Sequence, residues 1–365
     1  MDELKYIVWL AHMYGTPSQY IDSLLGKFGG AAGVYNATGK ALHDAGILPS
    51  GMVSKIIELK QKVDPEKVFL DMNSKGIRYI PKFSDDYPPL LKTIANPPLG
   101  LFVLGEMPDF DRLWIGIIGT RRPSAYGRAA TRKISEELSQ RDVVIVSGMA
   151  DGLDGEAAQA AIDSGGTTVA VLGSGVDICY PRIHERLYES IQQNGCLISE
   201  FPPGINSDKW HFPLRNRIIS GLSQAIVVTE APVRSGTSIT INYALEQGRE
   251  VLAVPGNITN PKSEGTNMLI KDGAHVATCG MDVLDVLGVI ENAPLNNLNE
   301  EIHNNVHIPL APNEKTVYAL LEDEPAELDD IIKKSGLEPR SVMIALTKLG
   351  LAGLISELPG QKYKR

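Results

Sequence analysis

WHFPLRNRIISGLSQAIVVTEAPVRSGTSITINYALEQGREVLAVPGNI, from Trp210 to Ile258, decides the fold. It holds two apolar β-branched runs of strand length, Ala225–Thr229 and Val251–Val254. Between them lies a helical stretch, Ser238 to Gln247, and each strand runs into a turn sequence (Glu-Ala-Pro, Pro-Gly-Asn). This is the pattern of a βαβ unit in a parallel sheet. The turn chemistry points to a ligand. Val233-Arg-Ser-Gly-Thr-Ser238 sets small residues and hydroxyls at a helix N-terminus, where free amides and the positive end of the helix dipole suit a phosphate. Arg215, Asn216 and Arg217 stand just upstream, so the stretch reads as an anion pocket in an α/β sheet.

Working outward, the same alternation runs from Leu113 to about Leu287. Further strand-like runs are Trp114–Ile118, Val143–Val146, Thr168–Leu172 and Cys196–Ile198; helical stretches include Ala125–Gln140, Glu156–Asp163 and His184–Gln193. The expected fold class is therefore α/β, a doubly wound parallel sheet. Ligands of such sheets bind outside the carboxyl ends of the strands. The turns at that edge are Gly119-Thr-Arg-Arg122, Ser147-Gly-Met-Ala-Asp-Gly-Leu-Asp154, Gly173-Ser-Gly175, Ser199-Glu-Phe-Pro-Pro-Gly204, Glu230 to Thr237, and Pro255-Gly-Asn257. They carry nearly all the Gly, Ser, Thr and Arg that can hold an anion. Asp154 and Glu200 also lie there, but Asp154 is better read as a cap for the helix that starts near Gly155.

On the N-terminal side, residues 1–65 read as short helices: Leu4–Met13, Ser18–Lys27, Gly30–Asn36, Gly39–Ala45 and Met52–Val63. They suggest either helix-hairpin-helix turns or a small helical interaction domain. A helix (Glu66–Lys75), a strand (Ile77–Ile80), a Pro-rich connector through Tyr87-Pro-Pro and Asn96-Pro-Pro, and a run at Leu101–Leu104 lead into the sheet. The Pro pairs fix extended backbone. Residues 290–307 are Asn-rich and polar and read as a linker. Helices at Asn313–Leu321, Leu328–Ser335 and Glu338–Leu349 follow, with a hairpin from Leu354: a winged-helix-like tail. Its would-be recognition helix offers only Arg340 and Lys348 among acids, which favours protein contact or weak DNA contact over sequence readout.

Several function classes are excluded or weakened. No run of about 18 apolar residues supports a membrane span, and Met1-Asp-Glu-Leu-Lys lacks the basic region of a secretory signal. Cys179, Cys196 and Cys279 have no metal or redox spacing and read as reduced thiols in a cytoplasmic protein. A net charge of -9 counts against a generic polyanion binder, though a local basic pocket decides binding. Walker A, G-x-G-x-x-G after a strand, G-x-S-x-G and H-E-x-x-H patterns are all absent. His303 and His307 have ligand spacing but sit in the linker without companions. No catalytic residue, cofactor or metal is expected.

Taken together, the motifs resemble the DNA-processing protein A family, also called Smf. The residues that carry the match are Ile115-Gly-Ile-Ile-Gly-Thr-Arg121, Ser147-Gly-Met-Ala with Gly152-Leu-Asp154, Ile198-Ser-Glu200 with Pro202-Pro-Gly204, and Phe212-Pro with Arg215 to Ser223. Glu230-Ala with Ser235-Gly-Thr237, Val254-Pro-Gly-Asn257, and Gly265-Thr-Asn with Gly273-Ala274 complete it. The resemblance implies an extended Rossmann-like domain over residues 66–289, after an N-terminal helical domain (1–65) and before the linker (290–307) and winged helix (308–365). It implies a non-enzymatic protein that binds single-stranded DNA, self-associates as a dimer and loads the recombinase RecA in natural transformation. It also implies DNA contacts at Gly119, Thr120 and Arg121, at Lys209, Phe212, Arg215, Asn216 and Arg217, and at Ser235, Gly236, Thr237 and Asn257. Arg121 is expected on a phosphate and Phe212 against a base; a core place for Phe212 and a pair with Glu200 for Arg217 are the competing readings. Two positions depart from the family pattern: Asp151 replaces a frequent Arg, and Ala158 a frequent His, on one lip of the pocket.

The alternative is a nucleoside-monophosphate phosphoribohydrolase of the lysine-decarboxylase-like Rossmann group, which uses a turn similar to Ser235-Gly-Thr237. It requires a catalytic Glu and Arg near that turn; Glu230 ends the preceding strand and Glu246 lies two helical turns past Thr237.

Overall fold

The computed structural model describes residues 2–233, 235–289, 311–321, 326–351, 355–358 and 362–364. The chain forms two compact units, Met1–Glu291 and Asn292–Arg365. The expected linker, residues 290–307 with His303 and His307, lies outside the described residues. Among the described residues, no helix is long and apolar enough to cross a membrane, and no group of His, Cys, Asp or Glu is arranged to hold a metal ion.

The first unit is built on a nine-stranded sheet. Its strands are β1 (Arg78–Pro81), β2 (Gly100–Gly105), β3 (Trp114–Ile118), β4 (Val144–Ser147), β5 (Thr168–Val171), β6 (Gly195–Ser199), β7 (Ala225–Val228), β8 (Glu250–Ala253) and β9 (His275–Val276), in the order β1-β2-β6-β5-β4-β3-β7-β8-β9. From β6 across to β9 all neighbours are parallel, while β2 runs antiparallel to both β6 and β1. β3 to β7 are buried end to end, and such continuous Val/Ile runs belong to strands covered on both faces. The doubly wound sheet thus follows the sequence reading, with β9 added; two residues are too short for a periodic signal. The order reverses between β3 and β7, where Gly116 pairs with Ile226, and open α/β sheets bind their ligands outside such a point.

The N-terminal helices pack onto this sheet. Trp9, Leu10 and Leu24 share one core with Phe102, Ala170 and Leu197. Local signals set the helix starts: the Thr38 hydroxyl accepts from the Ala41 amide, and Asp64 accepts from Glu66 and Lys67 ahead of a helix opening on Pro65. Tyr87 explains why the Pro-rich connector is ordered: its ring is buried and its hydroxyl donates to the Pro98 carbonyl at 3.1 Å.

The second unit has helices Pro312–Ala319, Leu328–Ser335 and Pro339–Leu351 around Val317, Ile331, Val342 and Leu346. A small sheet in the order β10 (Ala326–Glu327), β12 (Lys362–Lys364), β11 (Ser356–Leu358) completes it. Lys348, one of the two cations on its third helix, is paired with Glu314 at 2.9 Å.

Candidate nucleic-acid interface

The turns after β3, β4 and β5 surround a cleft of about 60 Å³, whose lining includes Arg121, Gly148, Gly173, Tyr180, Phe212 and Arg215. Arg121 is exposed, and its guanidinium carbon lies 5.4 Å from the centre of the Phe212 ring. Tyr180 flanks the same ring at 5.6 Å. A cation and two aromatic rings therefore meet at the carboxyl edge of the sheet, the combination that grips phosphates and stacks bases.

Glycines make the assembly possible. Gly152 has φ +88°, and a Cβ there would come within 2.4 Å of the Thr120 carbonyl and 2.7 Å of Arg121 Cα. Its absence lets helix Leu153–Asp163 dock on the Gly119-Thr-Arg turn and fix where Arg121 begins. At Gly148 a Cβ would lie 2.5 Å from the Arg215 guanidinium.

Arg215 is buried and held from within. One Nη donates to the carbonyls of Gly148 and Val171, and Nε donates to Asn216 Oδ1. Burial pushes its pKa down to about 10, so the side chain stays charged at neutral pH, and Asp154 works against the shift. Asp154 is the electrostatic counterpart. Burial raises its carboxyl above the ordinary value, with Arg215 the main influence in the other direction. Its oxygens accept the Gly148 amide at 3.1 Å and the Gly119 amide at 3.4 Å. The sequence reading of Asp154 as a helix cap is therefore overturned: the N-cap position is Gly152, and the Asp154 carboxylate ties the ends of β3 and β4 together.

The expected site residues do not all converge. Arg121, Phe212 and Arg215 line the cleft, with Asn216 orienting Arg215 and Lys209 exposed nearby in sequence. The amides of Gly119 and Thr120 are consumed internally, the second donating to the Glu230 carbonyl at 2.8 Å, so they shape the turn and offer no anion nest. Arg217 departs from the cleft altogether. Its guanidinium pairs with Glu200 at 2.8 Å, both side chains buried, and donates to the half-buried Asn96 and Leu214 carbonyls. The cause is the helix His211–Leu222, on which residues two apart face about 200° away from each other. Ser235 and Thr237 bond each other through their hydroxyls, Gly236 caps the helix Thr237–Glu246, and Arg234 lies outside the described residues. Asn257 sits in a separate open depression with Tyr126, Pro255 and Asn260. None of these last four residues lines the cleft. Ala158 is fully buried and so is not on its lip, whereas Asp151 is.

The two candidates for the catalytic Glu of a phosphoribohydrolase are also misplaced. Glu230 is 1% exposed, with both oxygens accepting from Ser124 at 2.5 and 2.8 Å. Glu246 ends the helix at the far side from the Ser-Gly-Thr turn and is exposed.

The family model for DNA recombination-mediator protein A matches residues 78–288, the whole sheet with its turns, and the DprA winged helix domain model matches residues 306–361. The chain belongs to the DprA/Smf family. Among its relatives, Protein Smf of Escherichia coli is 40% identical over 286 residues, covering 77% of this chain and 75% of that one. DNA processing protein DprA of Bacillus subtilis is 41% identical over 222 residues, 60% of this chain and 75% of that protein. The crystal structure of Streptococcus pneumoniae DprA superposes with a TM-score of 0.65 at 33% identity, covering 77% of this chain and 97% of that one. A Helicobacter pylori DprA, whose structure is described as showing a single-stranded DNA binding mode, superposes with a TM-score of 0.52 at 27% identity (58% and 97% covered).

Family membership places the cleft within the matched domain. Its wall also contains residues that the sequence reading did not single out. Gly148, Gly173 and Ser174 were visible as turn residues after strands. Tyr180 had no signal, because a loop brings it to Phe212 only in the folded chain.

Proposed function

We propose that this chain is a non-enzymatic, cytoplasmic single-stranded DNA-binding protein that shields incoming DNA during natural transformation and loads RecA onto it. The observation that carries the reading is Arg121 set over Phe212 at the carboxyl edge of a sheet whose family includes a single-strand-binding member. Arg121 and Lys209 meet phosphates, and Phe212 and Tyr180 stack bases of any sequence. Arg215 supplies fixed positive charge behind the cleft. The Ser235–Thr237 turn and Asn257 extend the track along the edge as secondary contacts.

The protein works as a homodimer, so one strand crosses two clefts and affinity multiplies. Residues Gly265 to Ala274 form part of the dimer face. In support, Met268 is exposed there, Leu245 on helix Thr237–Glu246 is exposed as well, and β9 is an edge strand of the sheet among the described residues. The test is fluorescence anisotropy of labelled oligo-dT with the full chain. Saturable, salt-sensitive binding that exceeds binding to duplex supports the reading, and absence of binding at low salt removes it.

A further inference from the structure

Trp210 is placed unlike the other tryptophans. The chain has three; Trp9 and Trp114 are buried, while Trp210 is 49% exposed. Its ring is not loose. It stacks on Tyr14, with centroids 5.8 Å apart and planes 18° from parallel. Tyr14 in turn meets Phe201 edge-on at 5.1 Å and His211 at 5.6 Å, and Phe201 stacks on His211 at 4.1 Å. Gly15 lies alongside the same indole, a Cβ there being in ordinary contact with Trp210 at 3.4 Å. A large aromatic held this firmly and left half in solvent presents a rigid, pre-ordered face.

Its position gives that face a use. Trp210 is two residues before Phe212, so their Cα atoms are at most about 7 Å apart. The exposed Lys209 precedes it and enters none of the ion pairs among the described residues. Because Trp210 and Phe212 are two apart at the start of helix His211–Leu222, the Arg121–Phe212–Tyr180 group and the Lys209–Trp210–Tyr14 group lie on opposite flanks of that helix N-terminus, with His211 between them.

We propose that Trp210, backed by Tyr14, is a second nucleobase-stacking platform beside the cleft, and that the N-terminal helical segment thereby forms part of the DNA site. The inference rests on the single-strand DNA reading of the cleft. The occupant is a further base of the same strand, reached after the strand passes the N-terminus of helix His211–Leu222, with Lys209 neutralising a phosphate next to it. Asp208, which lies close enough to Tyr14 to raise its pKa after burial has done so, is engaged by the Lys209 amide at 2.5 Å and disfavours a phosphate on its own side.

The test uses the full-length chain, oligo-dT and two signals at once: anisotropy of the labelled oligonucleotide and intrinsic tryptophan fluorescence. With the other two indoles buried, stacking on Trp210 quenches the wild-type emission in step with the anisotropy, and Trp210→Phe abolishes the quench while keeping most of the affinity. Trp210→Ala weakens binding about fivefold to fiftyfold, as expected for one base–aromatic stack. An abasic site in the oligonucleotide penalises the wild type more than Trp210→Ala. Full anisotropy binding with unchanged wild-type fluorescence overturns the platform and leaves the cleft reading standing, even where Trp210→Ala weakens binding through loss of structure. No anisotropy change with the wild type overturns both.

Discussion

Replacing Arg121 by Ala separates two roles that the geometry allows for this side chain. Arg121 is exposed and its charge lies 5.4 Å from the Phe212 ring. If it grips a phosphate, a hydrogen bond to a charged group is lost, worth about 1.5 kcal/mol at the lower end suited to a screened, exposed site, or about twelvefold in Kd. Each phosphate neutralised on a single strand contributes about 0.7 to the slope of log K against log salt. Between about 50 and about 200 mM salt the advantage of the wild type should then shrink by about 2.6-fold, from about twelvefold to about fivefold. If Arg121 only steadies Phe212 through the cation–π contact, the deficit is smaller, about 0.5–1 kcal/mol, and nearly independent of salt. Anisotropy titrations of oligo-dT at four salt concentrations distinguish the two, and Arg121→Lys should retain the slope while losing the fork geometry. A deficit that does not change with salt refutes the phosphate role.

Arg215→Ala leaves the Gly148 and Val171 carbonyls unpaired and Asp154 without its main countercharge, so urea denaturation should show a loss of about 3–5 kcal/mol. Arg217→Met strands buried Glu200 and should cost a similar amount, yet oligo-dT affinity of the protein that remains folded should change by less than about twofold; a selective loss of affinity would return Arg217 to the DNA site. Arg132, then Gln159, hold the Asp163 carboxyl below its ordinary value of 3.8. A lowered folded pKa contributes stability that is present above the unfolded value and is lost as pH falls through the folded one. Arg132→Gln should therefore bring the NMR titration of Asp163 back up toward 3.8 and flatten the acid limb of stability below that pH. Leu245→Glu combined with Met268→Glu should shift sedimentation velocity toward monomer with the fold intact by circular dichroism; an unchanged dimer would place the interface elsewhere.

Much of this protein was written locally. Continuous Val/Ile runs such as Trp114–Ile118 and Ala225–Val228 specify strands buried on both faces, and the alternation with helices specifies their parallel arrangement. Turn glycines after each strand mark the binding edge, and seven collinear motifs mark the family. These features depend on residues a few positions apart, so the sequence carries them without the fold.

Which side chains meet at that edge depends on the tertiary structure. Arg215 and Arg217 read alike as neighbours flanking Asn216, but helical rotation turns one toward the cleft and the other into a buried pair with Glu200. Asp154 looks like a cap until the sheet brings the amides of Gly119 and Gly148 against it. Tyr180 reaches Phe212, and Tyr14 reaches Trp210, from segments far away in the chain. Periodicity and turn chemistry settle the scaffold because they act within a few residues; the partners of a charge or a ring are settled by packing between distant segments, which only the folded chain defines.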